Sequence, residues 1–353
     1  MITAKFGGTA VTPRNLTYIK RILTPYHRVI VVSAVGKEWQ GDVKTTDLLR
    51  QYYETSQDSL WEKIADKYRR LVEVNGIAVD VEDLLSDAKQ RATSYSLEYC
   101  MSLGEELSGK VVASFLNAKY LEAEEIVRFN CGKCDYEQTY RNVQNALSGV
   151  KLAVVGGFYG GVNGGRQTFS RGGSDVTGAI FAAATNSTLY ENWTDVSGVY
   201  VANPTKVSNV RAVTSMSYGE MFLLSQAGAE VLHPDAVAPV EELLIPIKIG
   251  NFFNPNGAST LISTCPSVNK LLSIAEKEVS GKVITTVLHS YSYWQILRLI
   301  SRFLKKNTTE LWFFDNAREV SALKVYGLEF SDNIVRITTD TSILNALYKI
   351  LCS

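Results

Sequence analysis

The chain has 353 residues, 46% hydrophobic and 20% charged, a composition of globular proteins at a length that suits two domains. Its 36 Lys and Arg balance its 36 Asp and Glu, so no net field draws it to nucleic acid or an anionic membrane. The start MITAKFGGTA lacks the basic segment and apolar run of a secretory signal, and no apolar run is long enough to span a bilayer, so the expected compartment is cytoplasmic. Five cysteines, Cys100, Cys131, Cys134, Cys265 and Cys352, form an odd, scattered set rather than a disulfide framework. Cys131 and Cys134 make a lone C-x-x-C; zinc needs two further ligands, and His27, His233 and His289 supply no pair, so two reduced thiols near a turn are expected.

In chain order, AKFGG reads as a short strand ending in a glycine turn. TPRNLTYIKRIL reads as a helix with Leu16, Ile19, Ile22 and Leu23 on one stripe, and RVIVVSA as a buried parallel strand. Strand, turn, helix, strand is a βαβ unit. Lys5, at the end of the first strand, is a fixed cation of the kind that stabilises a transferring phosphoryl group. Gly7, Gly8 and Thr9 are expected to open the helix, where glycine lets amides approach an anion. The stretch is neither a Walker A loop nor a G-x-G-x-x-G fingerprint, and a plain glycine turn accounts for it equally well. Ser33 falls at the carboxyl end of the second strand, the end that faces the ligand crevice in open α/β sheets.

Residues from Asp42 to Arg91 read mostly as helix, with Trp61, Ile64, Ala65, Tyr68, Leu71 and Val72 on one core stripe. Thr46 and Asp47 stand at a helix start, as ligand contacts or as caps. SLGEELSGKVVASFLNAKY is a further helix; its Glu105 belongs by residue type on a solvated face. KLAVVGGFYGGVNGG reads as a buried strand running into a glycine-rich loop. In FSRGGSD, Arg171 suits a bidentate grip on a carboxylate, and Gly172 and Gly173 free the backbone. Ser174 and Asp175 then start the small-residue helix DVTGAIFAAAT, with Asp175 placed to cap it. LYENWTDVSGVYVANP is a strand and a turn; Thr194, Asp195 and Tyr200 stand where a nucleotide base can lie, or form an ordinary Asx-type turn. IPIKIGNFF is another strand, and the turn-rich NPNGASTLISTCPS is expected to join two domains. Beyond it, KVITTVLHS, TELWFFD, VSALKVYG and NIVRITTD read as strands and YSYWQILRLISRFLKK and SILNALYKIL as helices, in βαβββα order.

Taken in order, KFGGT, VVSA, TTDLL, GEELS, FSRGGSD, WTDVSGVY and VLHP resemble the aspartokinases of the amino-acid kinase superfamily. The resemblance implies an α/β fold: a three-layer α/β/α sandwich around a mainly parallel sheet over residues 1–265, and a small ACT-like α/β domain over 266–353. It implies transfer of the γ-phosphoryl group of ATP, with Mg2+, to the β-carboxylate of L-aspartate, giving 4-phospho-L-aspartate for lysine, threonine and methionine synthesis. Lys5 and Asp175 are implied as catalytic, and Ser33, Thr46, Glu105, Arg171 and Ser174 as aspartate contacts. Lys5, Gly7, Gly8, Thr9, Thr194, Asp195 and Tyr200 are implied at the nucleotide, with no protein-held metal. The implied partners are L-aspartate, ATP and a second copy joined through the C-terminal region. A kinase for another acidic amino acid, or a non-catalytic amino-acid or nucleotide-binding homologue, stands as the alternative.

Three departures bear on that alternative. Ala10 replaces the usual serine; Asn203 and Thr205 replace the usual Asp and Arg, with Lys206 next in line to compensate; and Glu230 stands where many relatives carry a lysine on the phosphates. Only about 85 residues follow the kinase part, room for roughly one ACT-type module where relatives generally have two. HSYSYWQILRLI replaces the glycine-containing effector loop, so weak or absent inhibition by lysine or threonine is expected.

Overall fold

A computed structural model describes residues 1–169, 172–229, 231–267, 271–289, 295, 299–300, 325–331, 334–339 and 342–351. Arg171, Glu230, the strand expected at TELWFFD and most of the helix expected at YSYWQILRLISRFLKK lie outside the described residues.

Among the described residues the chain runs β1 (Ile2–Phe6), α1 (Leu16–Ile22), β2 (His27–Val32), α2 (Thr45–Thr55), α3 (Asp58–Asn75), α4 (Val81–Ala92), α5 (Leu97–Leu116), β3 (Lys119–Leu121), α6 (Ala123–Ile126), β4 (Phe129–Asn130), β5 (Lys133–Cys134), α7 (Tyr136–Ala146), β6 (Ala153–Gly156), β7 (Tyr159–Val162), β8 (Gly165–Thr168), α8 (Gly173–Ala184) and β9 (Leu189–Thr194). It continues with β10 (Val199–Tyr200), β11 (Ala212–Val213), β12 (Ser215–Ser217), α9 (Tyr218–Gln226), α10 (Ala238–Glu241), β13 (Ile247–Asn251), β14 (Ser259–Ser263), β15 (Leu271–Val279), β16 (Lys282–His289), β17 (Val325–Ser331), β18 (Ile334–Thr339) and α11 (Leu344–Leu351). Two compact units result, Met1–Ser197 with Asp235–Ala258, and Gly198–Pro234 with Ser259–Ser353.

In the first unit, six strands pair in parallel in the order β13-β9-β1-β2-β6-β3. Strands that are apolar at successive positions need cover on both faces, and they have it. Ile30, Val32 and Val154 join Phe6 in a core closed by α1 to α5, including Leu49, Trp61, Tyr68 and Leu103. The alternate residues Val29, Val31 and Val155 face a second core with Val143 of α7 and Phe181 of α8. Two cores on opposite faces of one parallel sheet make the three-layer sandwich.

In the second unit, β15-β16-β18-β17 form an antiparallel sheet. Val287, Val335 and Ile337 are buried there, as are Leu344, Leu347 and Leu351, spaced three and four residues apart on one face of α11. The Glu276 carboxylate accepts from the amides of Ile343 and Leu344 at 3.0 and 3.1 Å, satisfying orphan donors at the amino end of that helix.

Four sequence expectations give way locally. Gly7, Gly8 and Thr9 do not open a helix: they form turns, Ala10 N–H donating to Gly7 O and Val11 N–H to Gly8 O, and α1 begins at Leu16. α5 stops at Asn117, which is left-handed, so Lys119 to Leu121 are strand rather than helix. The glycine-rich stretch after β6 is the antiparallel hairpin β7–β8 rather than a loop. A strand, β14, occupies Ser259–Ser263 within the turn-rich stretch expected to be a linker. Cys131 and Gly132, both with positive φ, form the two-residue turn of the β4–β5 hairpin. Burial pushes the Cys134 thiol up to about 11, so it is no ready nucleophile.

Candidate active site

The strand ends make the site. Lys5 is the penultimate residue of β1, and its Nζ lies 2.6 Å from Oδ1 of Asp175 in the first turn of α8. Asn192 of β9, in register with Lys5, joins both: its Nδ2 donates to Asp175 Oδ1 at 3.0 Å and its Oδ1 accepts from Lys5 at 3.5 Å. Asp175 is therefore not the expected cap. The cap position is Gly172, left-handed at φ 79, and among the described residues no side chain caps the helix. The carboxylate of Asp175 turns instead to the cation on the neighbouring strand.

From Lys5 the contacts run around a ring. Lys5 Nζ would stand 3.7 Å from a Cβ on Gly7, so the ammonium lies beside the glycine turn. The next glycine is pressed against the loop after β2: Gly36 N–H donates to Gly8 O at 2.9 Å, and a Cβ on Gly36 would lie 2.5 Å from that oxygen. In that loop, Ala34 N–H donates to Glu105 Oε1 at 3.1 Å. Glu105 sits on α5, whose backbone touches Gly156 at the end of β6; a Cβ on the next residue, Gly157, would lie 2.8 Å from Ser174. Ser174 leads back to Asp175. The carboxyl ends of β1, β2 and β6, the α5 helix and the start of α8 thus lie together, at the strand ends where open α/β sheets bind ligands.

The ring can hold charge of both signs. The amides of Gly8 and Thr9 donate to no backbone carbonyl among the described residues, and the first turn of α8 adds the orphan amides of a helix start. The Gly7 amide, expected to face phosphate, is taken by Trp193 O at 3.2 Å. Glu105 is the acidic counterpart, which ionises when it meets a cation. It is buried, not on a solvated face, and its Oε2 has no hydrogen-bond partner among the described residues. Burial raises its proton affinity to a pKa of about 8, against the lowering effect of the Ala34 amide. An orphaned buried carboxylate oxygen is a receptor for a cationic group.

Other expected residues fall as follows. Ser33, half-buried, precedes Ala34 at the end of β2. Thr46 is the second residue of α2 and half-buried; its neighbour Thr45 donates to Val35 O at 2.6 Å, which holds that helix start under the same loop. Thr194 ends β9, and its hydroxyl donates to Asp195 Oδ1 at 3.2 Å. Tyr200 is on β10 in the second unit. Ala10 is fully buried in the hydrophobic core, so its missing hydroxyl is no loss to the crevice. Thr205 folds onto Asn203 Oδ1, and Lys206, expected to compensate, lies 3.5 Å from Glu276. Sequence reasoning missed Asn192 and Gly36; the one visible signal was an asparagine inside the otherwise buried strand LYENWT.

Residues 1–251 match the family model described as "Amino acid kinase family". The chain belongs to the amino acid kinase family. Aspartokinase 3 of Bacillus subtilis is 32% identical over 288 residues, covering 74% of this chain and 63% of that protein. An aspartokinase of Chlamydia trachomatis is 26% identical, covering 76% of this chain and 65% of its own length. The chain thus spans a little under two thirds of these curated relatives. Among solved structures, Clostridium acetobutylicum aspartate kinase superimposes with a TM-score of 0.85 at 26% identity, covering 99% of this chain and 100% of that one. E. coli aspartokinase III, in complex with aspartate and ADP, shares the fold with a TM-score of 0.70 at 22% identity, covering 97% of this chain and 79% of its own.

Proposed function

We propose that this amino acid kinase transfers the γ-phosphoryl group of ATP to the β-carboxylate of L-aspartate, forming 4-phospho-L-aspartate. One observation carries the reading: the run of contacts that joins the Lys5–Asp175 pair to Glu105, whose buried Oε2 has no partner among the described residues. A zwitterionic amino acid supplies that cation as its α-ammonium. Relatives named for the same activity support the choice of aspartate.

The chemistry suits these residues. A carboxylate is already ionised at neutral pH and needs no general base; charge repulsion and positioning are the barriers. Glu105 binds the ammonium, Arg171 grips the α-carboxylate, and Ser33, Thr46 and Ser174 add hydrogen bonds. Lys5 and the amides of Gly8 and Thr9 neutralise charge on the transferring group, while Asp175 and Asn192 hold the Lys5 ammonium in place. Thr194, Asp195 and Tyr200 contact the nucleoside. Magnesium takes most of its ligands from phosphates and water, and Asp175, in the first turn of α8 beside Lys5, is a carboxylate that would supply a protein ligand. When bound, it neutralises phosphate charge. We keep a division at residue 265 between a catalytic and an ACT-like part, a cytoplasmic location and a homodimer as parts of this proposal; among the described residues no helix is long and apolar enough to cross a membrane.

The test is a hydroxylamine trap with ATP and a panel of acidic amino acids. The reading expects hydroxamate with L-aspartate and far less with glutamate or N-acetylglutamate. A preference for another acceptor moves the site to a different amino acid.

A further inference from the structure

Arg166, on β8, lies outside the ring and has no role in the scheme above, yet it is 3% exposed and charged. Its Nε donates to Glu124 Oε2 at 2.6 Å, and its Nη1 reaches Glu106 Oε2 at 2.7 Å and Ser102 Oγ at 3.0 Å. Its Nη2 lies 3.5 Å from Glu122 Oε1. The guanidinium also stands over two rings, 4.3 Å from the centroid of Tyr99 and 4.7 Å from that of Tyr159. A planar cation with carboxylates at three corners and two aromatic rings against it is fixed in position and orientation.

What it fixes matters for the site. Ser102 and Glu106 are four residues apart on α5 and so share a face, the one adjoining Glu105. β8 ends at Thr168; Phe169 N–H donates to Phe158 O at 2.7 Å, and a Cβ on Gly173, the first residue of α8, would lie 2.7 Å from the Phe169 side chain. Arg166 therefore ties the strand whose end packs against the start of α8 to the helix that carries Glu105. These are the two elements that would hold opposite ends of the acceptor.

We propose that Arg166 is a positioning residue for the amino-acid acceptor, setting the distance between Glu105 and the start of α8. The proposal rests on the reading of function given above. It separates acceptor from nucleotide, because the Lys5–Gly8 side of the crevice is built from β1 and the loop after β2, which Arg166 does not touch.

Arg166→Met should still fold. Glu106 keeps Arg91 at 2.8 Å and Lys110 at 2.5 Å, and Glu122 and Glu124 are partly exposed, so no buried carboxylate is left wholly uncompensated. Glu124→Ala loosens the same clamp from its outer end and serves as the milder variant. In the hydroxamate assay, Arg166→Met is expected to raise KM for aspartate at least tenfold with KM for ATP within twofold of wild type. Glu124→Ala should shift aspartate KM in the same direction by less, and Arg166→Lys should recover part of the loss. An unchanged aspartate KM in both folded variants, or equal rises for aspartate and ATP, overturns the positioning role while leaving the kinase reading intact. A wild type without activity on aspartate overturns the kinase reading, and this proposal with it.

Discussion

Glu105 couples the site to pH. With a pKa of about 8, raised by burial, it is largely protonated at neutral pH until a cation arrives, and binding an ammonium requires loss of that proton. Acceptor affinity must therefore fall as pH drops below about 8, by up to about tenfold per pH unit. We expect aspartate KM to decrease from pH 6.5 to 8 and then level, and Glu105→Gln to raise KM and flatten the profile; a flat wild-type profile contradicts the assignment. Stability runs the other way. The folded state holds a proton that the unfolded state releases above its ordinary value near 4.5, so ligand-free stability falls as pH rises from about 5 to 8. Thermal melts of Glu105→Gln should lose that slope. For Lys5, Lys5→Met should lower kcat by about 100-fold or more, the usual loss for a group that stabilises transition-state charge, and leave aspartate KM nearly unchanged. Lys5, Ser174 and Asp175 were legible in sequence because each sits in a short motif beside glycine. Asn192 was not, because its role comes from strand pairing with Lys5, which no local pattern reports.

Elements place these residues through close backbone approach. A Cβ on Gly36 would press on the Gly8 carbonyl, and neither backbone can retreat without moving the turn beside Lys5. Gly36→Ala should cost about 1–3 kcal/mol of stability as an overpacked contact, and lower kcat/KM by more than the melting shift alone explains. A circular-dichroism melt beside kinetics separates the two, and wild-type kinetics in the variant would contradict the close fit. The βαβ start, the long helices and α8 were legible because apolar spacing is a strong signal over many residues. The β7–β8 hairpin was not. Its glycines look like loop residues, but Gly160 lies against the Val127 carbonyl with no room for a side chain, so they mark close packing of a strand. β14 was hidden likewise, its five residues enclosed by turn-forming neighbours.

At the scale of the whole molecule, the three-layer sandwich was legible through the family resemblance, since the alternation of buried valines alone only requires that both faces be covered. In the second unit β17 is paired on one side only among the described residues, which suits further pairing with a second copy, whereas the other side of β15 already meets Val201 O through the Ile274 amide at 2.6 Å. We expect light scattering to report a homodimer, and a monomer at assay concentrations to contradict it. Lysine or threonine added at saturating aspartate should leave the rate within about twofold, and strong inhibition by either contradicts a lost effector loop. The central claim, acyl-phosphate formation on aspartate at the ring of strand ends, is tested most directly by initial rates of hydroxamate formation from ATP and L-aspartate. Wild type and Arg171→Ala are measured side by side. The account predicts steady turnover by wild type and a loss of at least about 100-fold in kcat/KM in the variant; no hydroxamate from wild type, or equal rates from the two, would contradict it.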